Sequence, residues 1–165
     1  MKKTELIDYF TEAEWEQLCD HCGVCCFYKL QDEDTREIFY TKVVCQFFNC
    51  ETSQCTCYAN RFEKMPTCTK ISPDRMDVLP KWLPYHCAYR CLYENRSFPS
   101  WHPLNTGEEN NSELLQKINA LIHASSCNKK SFSDIFELKQ NAVPAVLDKN
   151  FENQLIDNVL DDWLL

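Results

Sequence analysis

The chain has 165 residues, a formal charge of −8 at pH 7, twelve cysteines and only two glycines. Its acidic balance argues against binding to nucleic-acid phosphates, and two glycines cannot form the Gly-x-Gly-x-x-Gly nucleotide loop. A chain of this length buries enough apolar surface to fold without covalent staples, so its cysteines require a chemical explanation.

The first residues and the hydropathy of the chain predict a cytoplasmic protein. Two lysines follow Met1, but Glu5 and Asp8 interrupt the pattern of a signal peptide and no apolar segment follows them. No apolar run reaches the roughly 18 residues that a membrane span needs. We therefore expect neither a membrane nor nucleic acid as a partner. In the reducing cytoplasm, clustered cysteines bind metals or do redox chemistry more often than they form disulfides.

A short helix is predicted just before the first cysteine. Thr11 and Glu14 have the spacing of a capping box, in which the two side chains and backbone N–H groups satisfy each other. The pattern predicts a helix over about 12–18, which would end at Cys19.

A β-hairpin is predicted after the first cysteines. Residues 27–30 and 36–44 are rich in β-forming side chains and are separated by a polar turn, so Cys45 would follow the second strand. Residues 49–70 show little periodicity, and a loop of that length is usually functional or held in place. Metal ligation by its cysteines would hold it.

The second half of the chain predicts helices. Ser72 and Pro73 have the form of a helix start, and Pro84 can open a further helix to about Glu94. That helix would place Cys87 and Cys91 on one face.

From Ser112 the pattern becomes that of amphipathic helices. One begins at a predicted Ser112 cap, and a second lies near 150–164. We therefore predict an α+β fold in two parts. Residues 1–107 form a small cysteine-rich metal-bound module with a β-hairpin and short helices, and residues 108–165 form a helical extension packed on it.

Four cysteines within eight residues give the strongest functional signal. Cys19, Cys22 and Cys25 follow one another at x2 spacing, which lets sulfurs converge on one centre, and Gly23 can take the positive φ that such a turn needs. Cys26 adjoins Cys25, and neighbouring side chains point to opposite faces. It would therefore serve a second centre or another side of a polynuclear cluster.

Further thiols extend this set. The x1 spacing of Cys55 and Cys57 places both sulfurs on one side of an extended segment, and Cys68 and Cys87 complete a set for one or two four-cysteine sites. No histidine is predicted as a ligand, since a histidine beside a ligand is more often exposed or a supporting donor. Three cysteines fit a buried, inert role best: Cys50, Cys91 and Cys127.

The identity of the metal stays open at this point. Four thiolates around one ion form the closed site of structural zinc, which usually takes two ligands from each of two turns. Three cysteines at successive x2 spacings are closer to the opening of a bacterial ferredoxin run, although its Cys-x3-Cys-Pro element is missing. We favour an iron–sulfur cluster of the 4Fe–4S type over Zn²⁺. Disulfides and a reactive dithiol pair are the weaker alternatives.

Ordered motifs over residues 12–107 resemble the CxxCxxCC family of bacterial proteins, the YcgN-like proteins, whose domain is described as chelating zinc or iron. The motifs are Cys19-x-x-Cys22-Gly23-x-Cys25-Cys26, Lys29-Leu30-x-Asp32-Glu33-Asp34-Thr35, Cys55-x-Cys57, Trp82-Leu83-Pro84, Cys87-Ala88-Tyr89-Arg90 and Trp101-His102-Pro103-Leu104. The resemblance implies nine metal ligands: Cys19, Cys22, Cys25, Cys26, Cys45, Cys55, Cys57, Cys68 and Cys87. It implies metal chelation and no particular physiological role.

We thus expect a cysteine-rich metal-binding protein with a redox, metal-handling or sensing role. The alternative is a zinc-scaffolded interaction module, in which Trp82, Trp101 and the C-terminal helix contact an unidentified protein partner. A third reading is an enzyme that uses the metal as a Lewis acid, which needs an open coordination position. The sequence does not decide between enzyme and non-enzyme, and no catalytic residue is predicted.

Overall fold

The computed structural model describes residues 3–107, 111–122 and 132–160. Their helices and small sheets confirm the α+β class, with a hairpin and short helices among the cysteines and further helices toward the carboxyl end. By their contacts the residues form two compact units, Met1–Asp20 with Ile71–Phe132 and His21–Lys70 with Ser133–Leu165. Each unit draws residues from both sides of position 107. The predicted division there stays a prediction.

The elements are short. The helices described are α1 (Lys3–Tyr9), α2 (Glu12–Glu16), α3 (Arg61–Lys64), α4 (Ala88–Tyr93), α5 (Pro103–Thr106), α6 (Ser112–Leu121), α7 (Phe132–Gln140) and α8 (Phe151–Ile156). The strands described are β1 (Phe27–Gln31), β2 (Ile38–Val44), β3 (Phe48–Asn49), β4 (Gln54–Cys55) and β5 (Val143–Pro144). None of the described helices has the length and apolar character needed to cross a bilayer.

The first unit is helical and is held by one apolar core. The capping box is confirmed, because the Glu14 N–H donates to Oγ1 of Thr11 at 3.2 Å and the Thr11 N–H donates to the Glu14 carboxylate at 2.8 Å. Trp15 on α2 is 2% exposed, and its indole N–H donates to the Ile71 carbonyl at 2.9 Å. Its ring centre lies 4.9 Å from that of Tyr89 on α4. This places the start of the chain against the helices that follow residue 71.

The helix predicted from Pro84 begins only at Ala88, because residues 84–87 form a turn in which the Cys87 N–H donates to the Pro84 carbonyl at 2.9 Å. The Cys91 N–H then donates to the Cys87 carbonyl at 2.8 Å, so the two cysteines are one helical turn apart as predicted. Cys91 is fully buried in the core of the unit.

The predicted cap of α6 is wrong by one residue. The side chain of Asn111, rather than Ser112, accepts from the Leu114 N–H at 3.1 Å. Asparagine is as good an N-cap as serine, and the Asn111 amide also donates to the Gln17 side chain at 2.6 Å. This second contact fixes Asn111 at the start of the helix.

The second unit contains the predicted hairpin. β1 and β2 pair antiparallel from Phe27 opposite Val44 to Gln31 opposite Ile38, and β5 adds parallel to the end of β2. Oδ1 of Asp32 closes the turn by accepting from nearby backbone N–H groups. A small core formed with α8 covers this sheet: Val43, Ala145 and Leu155.

The final predicted helix is shorter than expected and ends at Ile156. The next residues run along β2 instead, where the Leu160 N–H donates to the Tyr40 carbonyl and the Lys42 N–H donates to the Asn158 carbonyl, both at 2.8 Å. An open strand edge offers unpaired backbone groups that a passing segment can satisfy. Residues 161–164, the end of the predicted helix, lie outside the described residues.

Candidate metal centre

The tight turn after Cys22 depends on Gly23. This glycine has φ of 76°, as predicted, and is followed by a 3₁₀ turn over Val24–Cys26. A Cβ atom at this position would lie 2.0 Å from the ring of Phe48. Gly23 is therefore required both by the backbone conformation and by the close approach of an aromatic ring.

Backbone contacts of Phe48 connect three cysteine-bearing segments of the second unit. The Cys45 N–H donates to the Cys26 carbonyl at 3.0 Å, and the Phe48 N–H donates to the Cys45 carbonyl at 2.9 Å. Phe48 on β3 then pairs with Cys55 on β4, while its ring covers Gly23. The turn at 23–26, the end of β2 and the β3–β4 hairpin are thus tied together.

Cys55 and Cys57 bring their sulfur atoms to 3.8 Å from one another. That distance is too long for a disulfide, whose S–S bond is about 2.05 Å. Two thiolates on one tetrahedral zinc ion, with Zn–S bonds of about 2.3 Å, lie about 3.8 Å apart. The pair therefore has the separation of two ligands on one ion.

Several thiols of this unit lie close enough to raise one another's pKa values. Contact with the Cys25 thiol, followed by burial and by the charge of Cys45, raises the pKa of Cys26. Burial and the charges of neighbouring thiols, Cys45 among them, raise the pKa of Cys57 and of Cys68. Raised thiol pKa values disfavour the thiolates in the absence of a cation. A bound metal ion supplies the positive charge that lowers them.

One fixed cation, Lys29, lies at the cysteine turn. Its ammonium donates to the carbonyls of Val24 at 3.0 Å and Cys25 at 3.3 Å, and lies 4.9 Å from the centre of the Tyr40 ring. Its charge acts on Cys26 in the direction opposite to the neighbouring thiols. Lys29 therefore both holds the turn and offsets part of its negative charge.

The nine predicted ligands divide between the two units. Cys19 and Cys87 belong to the first unit. The other seven belong to the second: Cys22, Cys25, Cys26, Cys45, Cys55, Cys57 and Cys68. In the described ranges, no three histidine, cysteine or acidic side chains are already gathered at metal-binding distance. None of the eleven cysteines in these ranges is in a disulfide, and Cys127 lies outside them.

Sequence reasoning missed the supporting residues of the thiol cluster. Phe48 and Lys29 carry no spacing that marks them as parts of a metal site. Only the contact of Phe48 with Gly23 and the reach of Lys29 to the turn carbonyls identify their roles. For Gly23 the signal was present, since one of only two glycines follows a Cys-x-x-Cys pair.

Part of the chain matches a known family model. A family model described as "CxxCxxCC: Putative zinc- or iron-chelating domain" matches residues 18–88, which include all nine predicted ligands. The resemblance found in the sequence is therefore confirmed.

Relatives that match about two thirds of the chain then give the family. The chain is 49% identical over 107 residues to a UPF0260 protein of Vibrio campbellii, a match that covers 65% of this chain and 71% of the relative. A UPF0260 protein of Klebsiella pneumoniae is 50% identical over 103 residues, covering 62% and 69% of the two chains. The chain belongs to the UPF0260 family. No solved structure matches it.

Proposed function

We propose that the second unit binds a single zinc or iron(II) ion through thiolates, with Cys55 and Cys57 as two of its ligands. The observation that carries this proposal is the 3.8 Å separation of their sulfur atoms. The other ligands come from neighbouring thiols. Cys45 and Cys68 are the foremost candidates, because the charge of Cys45 acts on Cys57 and the charges of Cys45 and Cys55 act on Cys68.

The same distance favours one ion over the 4Fe–4S cluster expected from the cysteine spacing. In such a cluster each cysteine binds a different iron, so the sulfurs point outward from separate corners. Two sulfurs as close as those of Cys55 and Cys57 fit a shared ion better. The x2 spacing of Cys22 and Cys25 remains the support for a cluster.

We further propose a metal-handling role in the cytoplasm. Cys25 is exposed and the other thiols of the unit are half-buried, so competing ligands can approach an ion that is bound among them. Exposed thiolates allow an ion to be exchanged with other ligands. The cysteines of the described ranges are not in disulfides, which suits a reducing compartment.

A zinc-scaffolded interaction module is the second candidate function. Tyr58 and Phe62 are 52% and 44% exposed, and the guanidinium of Arg61 lies 3.8 Å and 4.4 Å from the centres of their rings. Exposed aromatic and arginine side chains are enriched at protein interfaces. This cluster lies in the chain between Cys57 and Cys68, so a bound metal would help to shape it.

Elemental analysis and a visible spectrum of anaerobically purified protein test the proposal. We expect zinc or iron in a whole-number ratio to the chain, without the broad visible absorption of a cluster. Protein that contains neither metal would contradict metal binding. About four irons per chain with strong visible absorption would contradict the single-ion site and support the cluster.

A further inference from the structure

The residue between Cys55 and Cys57 is anchored to the chain just before β3. The N–H and the hydroxyl of Thr56 both donate to the Phe47 carbonyl, at 2.7 Å and 3.0 Å. The two cysteines flank this anchored residue, and their sulfur atoms lie 3.8 Å apart, a distance at which one thiol donates to the other. The fold therefore presents two thiols that are already in contact.

A disulfide between these two residues requires only a small adjustment of the backbone. The bond needs Cα atoms about 4.4–6.8 Å apart, and residues two apart in an extended segment are separated by about 6.6 Å. This separation is at the long end of the range, so the bridge closes under strain and is easily reduced again. β3 and β4 have two residues each, so few backbone hydrogen bonds resist the adjustment.

Other close or buried cysteines are less suited to the same reaction. The thiols of Cys25 and Cys26 are also in contact. However, adjacent Cα atoms are about 3.8 Å apart, which is below the range that a disulfide needs. Cys91 is fully buried, so a small oxidant does not reach it. Cys55 and Cys57 are half-buried and combine access with a suitable spacing.

We propose that Cys55 and Cys57 form a reversible disulfide when they are oxidised by a small disulfide such as oxidised glutathione, and that this bridge blocks the metal site. The inference rests on the proposed function, in which the same two thiolates are ligands. A sulfur atom in a disulfide is no longer a thiolate, and the thiolate is the form that binds a metal. Oxidation of the pair would therefore release the ion, and reduction would restore the site.

The reaction is two successive thiol–disulfide exchanges. One cysteine thiolate attacks a sulfur of the small disulfide, breaks its S–S bond and releases one small thiolate. The other cysteine thiolate then attacks the mixed disulfide, forms the Cys55–Cys57 bond and releases the second small thiolate. Two electrons pass from the pair to the oxidant, and the two thiol protons pass through solvent to the small thiols.

Mass spectrometry of the full-length chain tests this inference. Metal-free and zinc-loaded protein are treated anaerobically with oxidised glutathione, and differential alkylation then reports the state of each cysteine. We expect Cys55 and Cys57 to be oxidised first and together in the metal-free chain, with the loss of two hydrogens. The zinc-loaded chain should react at least about tenfold more slowly, because its thiolates are engaged. A metal-free chain in which both stay reduced, or bridge to other cysteines, would overturn the inference.

Two single variants control for the pairing. C57S removes the partner, so Cys55 should accumulate as a mixed disulfide with glutathione instead of an internal bridge. C50S removes a half-buried thiol of the same unit and should form the Cys55–Cys57 bridge at the wild-type rate. An internal bridge from Cys55 in C57S that forms as fast as in the wild type would contradict the pairing.

Zinc titration of the reduced and the bridged chain separates this inference from the proposed function. We expect the bridged chain to bind about one equivalent less, and an excess of reduced glutathione to restore it. If the reduced chain binds zinc through Cys55 and Cys57 but no bridge forms, the inference alone fails. If the bridge forms and zinc binding is unchanged, the ligand role of the pair fails, and the block of the metal site fails with it. A bridge that reduced glutathione does not open would contradict its reversibility.

Discussion

At the scale of single residues, Gly23 determines the shape of the cysteine turn. G23A forces an alanine to φ of 76° and places its Cβ 2.0 Å from the Phe48 ring. The left-handed conformation costs about 1–2 kcal/mol and overpacking about 1–3 kcal/mol more. We expect G23A to lower the free energy of unfolding, measured with urea, by about 2–5 kcal/mol.

Gly107 provides the matched control for this prediction. Its φ is 80°, but nothing lies within 4 Å of the position that a Cβ would occupy. G107A should therefore cost only the conformational part, about 1–2 kcal/mol. Equal losses in G23A and G107A would contradict the role of the Phe48 ring.

The sequence could predict that position 23 needs a glycine, but it could not predict that the ring of Phe48 lies against it. A positive φ follows from the local Cys-x-x-Cys turn, which is why the glycine was recognised in the sequence. Phe48 lies 25 residues further along the chain, and its approach to Gly23 depends on the hairpin that intervenes. The burial of the His86 ring beside the ring of Trp101 likewise depends on the fold rather than on a local pattern.

At the scale of elements, the end of α4 is held by an ion-pair network. The Glu94 carboxylate accepts from Nε of Arg90 at 2.8 Å and from Nη2 of Arg96 at 2.7 Å. Burial alone would raise the pKa of Glu94, but the hydrogen bonds from the two arginines outweigh it and lower that pKa. A lowered carboxylate pKa stabilises the fold above about pH 4.5, and this contribution is lost as the pH falls through the folded-state value.

E94Q tests the network. At pH 7 we expect it to lower the free energy of unfolding by about 1 kcal/mol, since the pair is partly exposed. The difference from the wild type should shrink as the pH falls below about 4.5, and it should vanish once Glu94 is protonated in the folded state as well, because both chains then carry an uncharged side chain. E33Q, in the exposed turn of the β1–β2 hairpin, is the control. A difference between E94Q and the wild type that is constant from pH 7 to about pH 3 would contradict the pKa shift of Glu94.

Elements whose signals are local were predictable, and element ends that depend on distant partners were not. The capping box of α2 and the hairpin of β1 and β2 are specified by residues adjacent in sequence, and both are confirmed. The cap of α6 moved to Asn111, which also contacts Gln17, and α8 ended early because residues 158–160 pair with β2. Only the folded chain contains these contacts.

At the scale of the whole molecule, metal removal should affect the two units differently. β3 and β4 have two residues each, and isolated strands of that length are not stable in water. A metal ion bound by Cys55 and Cys57 would hold this hairpin. We expect a chelator to speed amide hydrogen exchange of the β3–β4 segment at least tenfold, while the helices of the buried core in the first unit, such as α4, change less.

The same exchange experiment contains its own control. β1 and β2 belong to the same unit but are held by a longer antiparallel ladder and a small apolar core, so their exchange should change less than that of β3 and β4. No change in β3–β4 exchange on metal removal would contradict a metal-held hairpin. C55S/C57S should show the fast exchange even before chelation.

The sequence could predict which residue types form the candidate site, but not which of the cysteines belong to the same unit of the fold. Cysteine spacing and the family resemblance indicated thiolate ligation, and comparison with known proteins confirms the match to a family model described as a putative zinc- or iron-chelating domain. Spacing could not show that Cys19 and Cys87 belong to one unit and the other seven predicted ligands to another, because that grouping arises from packing along the whole chain. The number of ions and their identity depend on the same long-range arrangement.

The most direct test of the account is the metal content of C55S/C57S, measured by elemental analysis beside the wild type and C50S. Cys50 is a half-buried thiol of the same unit without a predicted ligand role, so C50S controls for the loss of a cysteine. The account predicts that C55S/C57S loses about one zinc or iron per chain while C50S keeps the wild-type amount. Wild-type metal content in C55S/C57S would contradict it.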